Sequence, residues 1–141
     1  MSQENVEVVR RHIEAFRQDD VPEALSQLDP YVVLDWSRGR RLGLTVAYGH
    51  EEVTQTVRHW IGAFEDYDYE VERLTDLGSG AVLVIVAEEG RGKSSGVPVR
   101  QSFAVLYTVI DGKIARLTLF PDEEQALEAV GLSEQDAHTS S

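Results

Sequence analysis

Two side chains of this sequence have the chemistry and the setting for proton transfer, Asp35 and His12. Asp35 ends the apolar run 31–34, in YVVLDW. A carboxylate in a dry cavity has a raised pKa, because burial penalises its charged form, and it becomes a stronger base. An aspartate at a strand end can instead face water or bond to the following loop. His12 lies at the edge of an apolar helix stripe, where it can assist Asp35 as a donor or proton carrier, or simply belong to the core boundary.

Aromatic and polar side chains elsewhere are candidates for the wall of a ligand pocket. The alternative for the aromatic residues is an ordinary hydrophobic core. Arg100 and Ser102 share a strand face with Ala104 and Leu106. Such a mixed face suits a pocket wall, but also a solvent-exposed or subunit face. The predicted pocket residues are Phe16, Trp36, Tyr48, Trp60, Phe64, Arg100 and Ser102.

Other charged or glycine-rich segments have weaker functional interpretations. The loop with Arg38, Arg40 and Arg41 is a candidate clasp for an anionic ligand, although basic loops are usually just solvated. The segment GRGKSSG, 90–96, lacks the spacing of a phosphate-binding loop and is typical of a hairpin turn. The acids of 66–72 indicate a solvated strand face. No histidines and acids have the spacing of a metal site, and we expect neither a metal nor a cofactor.

The periodicity of the chain predicts the elements that must position these residues. Apolar residues three and four apart indicate helices, alternation indicates strands, and Asp111-Gly112 signals a tight hairpin. The predicted helices span 3–18, 22–28, 50–64 and a segment beginning at 121–124, and the predicted strands span 31–36, 44–48, 67–77, 81–90, 97–110 and 114–121. This order indicates one α+β domain over 1–131 with a polar, frayed tail at 132–141. A strongly curved sheet around the helices would leave a cavity at its open end.

The overall composition narrows the class of partner. The chain has 141 residues, the length of one domain, and 25 acidic against 13 basic residues give a formal net charge of −12. Such a chain is a poor partner for nucleic acid and for anionic membranes. It has no signal-peptide pattern and no apolar run near the ~20 residues that cross a bilayer, so a cytoplasmic protein is expected. The absence of cysteine excludes disulfides, thiolate metal sites and a cysteine nucleophile.

Four segments, taken in order, resemble the family that includes nuclear transport factor 2, the ketosteroid isomerases and the SnoaL-like polyketide cyclases. They are RRHIEAFRQDD, LDPYVVLDW, YGHEEV and VIDGKIARLTLF. The resemblance covers about 3–130 and implies a cone-shaped, strongly curved antiparallel sheet wrapped around the N-terminal helices. It also implies a homodimer formed through the exposed sheet face, with Arg116, Thr118 and Phe120 as candidate interface residues.

The similarity to ketosteroid isomerases implies roles for Asp35 and His12, but one acid of that family's site has no counterpart in this chain. In that family a carboxylate near the end of the first strand takes a proton from beside a ketone, and Asp35 falls on the matching position. The tyrosine that donates to the developing enolate corresponds to His12. The family's second acid falls near Ala104, and no carboxylate lies between Val97 and Ile110. A true ketosteroid isomerase is therefore disfavoured.

Two functions remain open from the sequence. The first is a small cofactor-independent enzyme that performs proton-transfer chemistry, such as isomerisation or cyclisation, on an apolar carbonyl compound. In it, Asp35 would be the base and His12 the assisting donor. The second is a non-catalytic module that binds a small apolar ligand or a protein partner. Neither involves nucleic acid or a membrane.

Overall fold

The computed structural model describes residues 2–38 and 46–131, which form four helices and six strands. On the first helix, Val9 and Ile13 are four residues apart and both are buried, in agreement with the predicted apolar stripe. The second helix follows Asp20, whose carboxylate accepts a hydrogen bond from the Glu23 amide and caps the helix. The helices are α1 (Ser2–Arg17), α2 (Val21–Ser26), α3 (Gly49–Gly62) and α4 (Glu123–Ala129), and the strands are β1 (Leu28–Asp35), β2 (Val46–Tyr48), β3 (Phe64–Gly78), β4 (Ala81–Gly92), β5 (Pro98–Ile110) and β6 (Lys113–Phe120).

The six strands form one strongly curved sheet with the order β2-β1-β6-β5-β4-β3. Strands β3 to β6 pair antiparallel in succession, as the hairpin signals predicted, and β2 pairs antiparallel with β1. The pairing of β1 with β6 is parallel, so the sheet is mixed rather than wholly antiparallel. Parallel neighbours need a long connection, and here that connection is the chain between β1 and β6. The α+β architecture itself is confirmed.

The sheet divides the hydrophobic core into two parts. Its inner face, which includes Val84 and Val86 of β4, packs against α1, α2 and α3. Its outer face, which includes Leu83 and Phe120, packs against Leu127 of α4. Because successive side chains of a strand point to opposite faces, neighbours in sequence belong to different parts of the core.

Two of the differences between predicted and observed element boundaries concern the start of β1 and the end of α3. Strand β1 begins at Leu28 and includes Pro30, whereas the predicted strand begins at 31. Its pairing with β6 shifts register between Leu28 and Val33, where Pro30 has no N–H for the ladder. Helix α3 ends at Gly62, so Phe64 is the first residue of β3 and not the end of a helix.

Two predicted segments, 44–45 and 132–141, lie outside the described residues. Among the helices of 2–38 and 46–131, none has both the length and the apolar character needed to cross a lipid bilayer.

Candidate functional site

A cavity of about 350 Å³ lies between the inner face of the sheet and helices α1, α2 and α3. Its wall is mainly apolar and includes Ile13, Leu34 and Val105. Small-molecule sites have volumes of roughly 300–1,000 Å³ and an apolar wall with a few polar groups. The polar side chains in this wall therefore decide what the cavity can do chemically, and His12 and Glu88 are among them.

His12 lies in the cavity wall on α1 and is fixed by α2. Its Nδ1 atom lies 2.9 Å from the carbonyl oxygen of Ala24. A carbonyl oxygen only accepts, so we assign the proton of the neutral ring to Nδ1, and Nε2 is then an acceptor. Burial lowers the pKa of His12 below its usual value, and the bond to Ala24 opposes this shift only in part. His12 is therefore a neutral imidazole at neutral pH, and its Nε2 atom can take up a proton.

Two tyrosines of the sheet lie close to His12. Tyr107 of β5 meets the imidazole edge-on, with the ring centroids 6.3 Å apart. Its hydroxyl has no hydrogen-bond partner within residues 2–38 and 46–131, and burial raises its pKa. Tyr69 of β3 donates to the backbone oxygen of Ile13 at 3.1 Å, and burial raises its pKa also. Both phenols are neutral at physiological pH, so Tyr107 is a hydrogen-bond donor beside His12.

Glu88 is a buried carboxylate on the inner face of β4 that sequence reasoning missed. It is 3% exposed and lines the cavity. One carboxylate oxygen, Oε2, accepts hydrogen bonds from the Tyr67 hydroxyl at 2.7 Å and from Trp60 Nε1 at 3.3 Å. The other, Oε1, accepts from Gln101 Nε2 at 2.7 Å. Hydrogen bonds from Trp60, Tyr67 and Gln101 therefore fix the orientation of this carboxylate.

The alternation of β4 carried the signal for Glu88. Val82, Val84 and Val86 are all buried on the inner face, and the period of two places Glu88 next in the same row. The same period places Glu89 on the outer face. A carboxylate in register with a buried apolar row indicates a buried polar network or a cavity, since an isolated buried charge is costly.

Aromatic rings form a continuous row along the cavity. Phe16, Trp36 and Trp60 line it. Phe64 does not line it but packs edge-on against Trp60, with centroids 5.0 Å apart. The row also takes in tyrosines from 66–72, where the acids Asp66, Asp68, Glu70 and Glu72 are exposed as expected. The successive ring contacts run through Phe16, Tyr69, Tyr67, Phe64, Trp60 and Trp36, at centroid distances of 5.0 to 6.5 Å.

Asp35 lies on the opposite face of the sheet, and the expectation that it faces the cavity is corrected. Leu34 and Trp36 line the cavity, so the alternation of β1 directs Asp35 outward. Asp35 is 6% exposed and accepts hydrogen bonds from the Ser37 amide at 3.0 Å and the Ser37 hydroxyl at 2.5 Å. Its second oxygen accepts from Arg116 Nη2 at 2.8 Å.

This environment also fixes the charge of Asp35. Burial by itself raises the pKa of Asp35, but the bonds from Ser37 and the Arg116 guanidinium outweigh burial, and the net pKa lies below the usual value. Asp35 is therefore an ionised member of an ion pair on the outer face. It does not share a cavity with His12.

Three other predicted pocket residues also lie outside the cavity. Tyr48, at the end of the edge strand β2, is 62% exposed. Arg100 and Ser102 are exposed on the outer face of β5. Arg100 lies 3.8 Å from a carboxylate oxygen of Glu89, and the Ser102 hydroxyl donates to Glu72 at 3.0 Å. The mixed face of β5 is therefore the outer face, which is exposed at Arg100 and Ser102 and buried at Ala104 and Leu106.

Arg38 and the glycine-rich segment 90–96 do not line the cavity. Arg38 lies 5.7 Å from the centre of the Phe120 ring, and Arg40 and Arg41 lie outside the described residues. The segment 90–96 closes the turn between β4 and β5 through backbone hydrogen bonds. Nowhere in the described part of the chain do three potential metal-binding side chains come together.

Comparison with known proteins identifies a sequence family. A family model described as the SnoaL-like domain matches residues 9–117, more than half of the chain. The comparison with curated proteins gave no match.

Solved structures of similar fold come from several sources. A structure of TerC co-crystallised with polyporic acid has a TM-score of 0.72 at 20% identity, over 84% of this chain and 92% of that chain. A protein described as a SnoaL-like polyketide cyclase from Jannaschia Sp. CCS1 has a TM-score of 0.72 at 21% identity, over 91% and 89%. An epoxide hydrolase of M. tuberculosis, described as LEH-like, has a TM-score of 0.63 at 17% identity, over 85% and 84%. At these identities the likeness concerns the fold.

Proposed function

Because the chain belongs to the SnoaL-like domain family, we propose that it is a small cofactor-independent enzyme that performs proton transfer on an apolar carbonyl compound. The substrate occupies the cavity on the inner face of the sheet. The reaction class is isomerisation or a cyclisation that proceeds through an enolate. A related fold crystallised with polyporic acid, and another described as a polyketide cyclase, are compatible with this class of ligand.

The observation that carries the proposal is the pairing of His12 with Tyr107 in the apolar wall. The imidazole is neutral, because burial lowers its pKa, and its Nδ1 proton is held by Ala24. The phenol is neutral, because burial raises its pKa, and it lies edge-on to the imidazole. A neutral base beside a neutral donor is the arrangement that removal of a proton next to a carbonyl requires.

His12 and Tyr107 together account for the transferred proton and for the charge of the enolate. Nε2 of His12 takes the proton from the carbon next to the carbonyl, and the electron pair of that C–H bond forms the enolate double bond. The charge moves to the carbonyl oxygen, which accepts a hydrogen bond from the Tyr107 hydroxyl. The imidazolium then returns its proton to another carbon of the conjugated system and completes an isomerisation. Ala24 holds the ring orientation throughout through Nδ1.

This assignment replaces Asp35 by His12 as the base. The carboxylate expected from the resemblance is on the other face of the sheet, in the pair with Arg116. The imidazole occupies the first-helix position that the resemblance gave to a donor. Tyr107 supplies a donor on β5, the strand that lacks a carboxylate.

Deuterium incorporation into ketones tests the proposal. Apolar cyclic ketones such as tetralone are incubated with the protein in D₂O, and the loss of the signal of the hydrogens next to the carbonyl is followed by NMR. We expect the wild type to accelerate exchange, His12→Ala to reduce the rate by about 100-fold or more, and Tyr107→Phe by about 10- to 100-fold. The rate should fall as the pH falls through the lowered pKa of His12, below ~6.5, because the imidazolium cannot accept a proton.

The matched control is Asp35→Asn. It changes a buried acid of the same domain on the other face of the sheet, and the exchange rate should stay unchanged. Loss of exchange in Asp35→Asn, or normal exchange in both His12→Ala and Tyr107→Phe, would show that the assignment is wrong.

The second candidate is a non-catalytic module that binds a small ligand in the same cavity. The hydrogen bonds of Glu88 favour it, because three donors hold this carboxylate as a fixed acceptor. A ketone that stabilises the protein against heat, and is recovered without deuterium, would support the module over the enzyme.

A further inference from the structure

The buried carboxylate Glu88 points to the class of ligand that fits this cavity. We infer that the cavity takes an apolar ligand that carries a protonated amine, with the ammonium group placed against Glu88. The inference rests on the proposed function in one respect, that the same cavity is a ligand site. It does not require catalysis.

The Glu88 carboxylate lies in the cavity wall, away from bulk water. Glu88 is 3% exposed and lines an apolar cavity, so its charge is removed from bulk water. A buried charge is costly unless polar partners compensate it. The chain supplies donors from three separate elements, Trp60 of α3, Tyr67 of β3 and Gln101 of β5. Residues from so many elements hold the carboxylate in one orientation at the cavity wall, ready for a ligand.

The Glu88 carboxylate also lies beside aromatic side chains. Trp60 and Tyr67 both bond to Oε2 of Glu88, and both line the cavity. A group that reaches Glu88 from the cavity therefore comes next to an indole and a phenol. The face of an aromatic ring attracts cations through its quadrupole, and aromatic cages bind quaternary ammonium groups. Tyr69, the next ring of the row, already has a cation near it, with the Arg17 guanidinium carbon 5.9 Å from its centroid.

The acidic and basic side chains of the cavity wall also bear on the charge of the ligand. Among the described residues that line the cavity, Asp19, Asp20 and Glu88 are acidic, and Arg58 is basic. His12 adds no charge, because burial lowers its pKa. The described part of the wall therefore has more acidic than basic side chains, in keeping with the formal net charge of −12 of the whole chain. This balance favours cationic ligands and opposes carboxylates.

A neutral hydroxyl can also donate to Glu88, so the test must separate charge from hydrogen bonding. Three ligands with one skeleton do this: naphthylmethylamine, naphthylmethanol and naphthoic acid. Their affinities for the full chain are measured by isothermal titration calorimetry at pH 7.5. We expect the amine to bind about tenfold or more tightly than the alcohol, since a charge-assisted bond is stronger than a neutral one. The acid should bind most weakly.

Glu88→Gln and Glu89→Gln are the matched variants. They are neighbours on one strand, but Glu88 lines the cavity, whereas the Glu89 side chain is 58% exposed and pairs with Arg100 on the outer face. Glu88→Gln should weaken amine binding about tenfold and alcohol binding by less than about threefold. Glu89→Gln should change neither affinity. Should Glu88→Gln fail to fold, as judged by circular dichroism, the wild-type series alone decides.

Several outcomes would overturn the inference. They are equal binding of amine and alcohol, tighter binding of the acid, no binding of any of the three, and an unchanged amine affinity in a folded Glu88→Gln protein. These outcomes are distinct from failure of the proposed function. An amine preference without ketone exchange leaves the inference standing and removes the catalysis, and ketone exchange without an amine preference does the reverse.

Discussion

His12 and Glu88 lie in the same cavity wall, and different contacts hold them. The Nδ1 atom of His12 bonds to the Ala24 oxygen, and burial lowers the pKa of the imidazole. The Glu88 carboxylate accepts hydrogen bonds from Trp60, Tyr67 and Gln101. The neutral imidazole therefore suits proton uptake, and the carboxylate suits the anchoring of a ligand.

Asp35, on the outer face of the sheet, should stabilise the fold through its bonds to Ser37 and Arg116. The Asp35 side chain is 8% exposed and its partner Arg116 is 46% exposed, so solvent screens the pair in part. We expect Asp35→Asn to lower the free energy of unfolding at pH 7 by about 1–2 kcal/mol, from the weakened bonds to Ser37 and Arg116. Urea denaturation followed by tryptophan fluorescence measures it.

The pH dependence of this effect follows from the lowered pKa of Asp35. Above the usual value of 3.8, Asp35 is ionised in both the folded and the unfolded chain, and its stabilising contribution is complete. As the pH falls below that value, the unfolded chain takes up the proton first, so the contribution is lost. The difference between wild type and Asp35→Asn should therefore shrink below pH 3.8. Glu89→Gln, which removes an exposed pair, should cost less than about 0.5 kcal/mol; an equal cost for both variants would contradict the prediction.

At the scale of elements, the turn between β3 and β4 joins the two strands that carry the cavity tyrosines and Glu88. In the pairing of these strands Tyr69 lies opposite Glu88. Gly80 in this turn has φ +83, and its carbonyl oxygen accepts a hydrogen bond from the Val109 amide at 2.8 Å. A Cβ atom at Gly80 would lie 2.5 Å from the Val109 oxygen. Glycine is therefore required here for both conformation and space.

Gly80→Ala tests this requirement against a control in the same turn. Gly78 also has φ +83, but a Cβ there would meet no atom within 4 Å. Gly78→Ala should cost about 1–2 kcal/mol for the left-handed conformation alone. Gly80→Ala should cost about 1–3 kcal/mol more, because the backbone of β5 must move. Equal losses of unfolding free energy in urea would refute the close contact.

The elements could be predicted from sequence because their signals are local. The apolar spacing of α1, the hairpin residues 111–112 and the alternation of β4 each act over a few residues, and all led to elements that the structure contains. The face of the sheet on which a side chain lies is harder to predict, because a shift of one residue in the assumed alternation places every side chain of the strand on the opposite face. Asp35, predicted at the cavity, lies between Leu34 and Trp36, which do line it. Glu88, by contrast, continues the buried row of Val82, Val84 and Val86, so the alternation of β4 does predict its face. The parallel pairing of β1 with β6 depends on strands far apart in sequence and had no local signal.

At the scale of the whole molecule, the two faces of the sheet pack against different helices. The inner face forms the cavity with α1, α2 and α3, and α4 covers part of the outer face. Two of the residues expected at a dimer interface, Thr118 and Phe120, are already 7% and 4% exposed within one chain. Phe120 packs in the cluster that includes Leu127 of α4. They contribute little area to a partner, so any pairing through this face must use its uncovered part.

We propose that two copies pair through that uncovered part, around Arg100 and Ser102 on β5. These side chains are exposed, and Ser102 is bonded to Glu72 across the face. Ser102→Arg places a long charged side chain there and should convert the dimer to a monomer, as measured by sedimentation velocity. Gln55→Arg also places an arginine on an exposed surface, that of α3, and should leave the dimer intact. A wild type with the mass of one chain, or a Ser102→Arg protein that stays dimeric, would exclude this face as the interface.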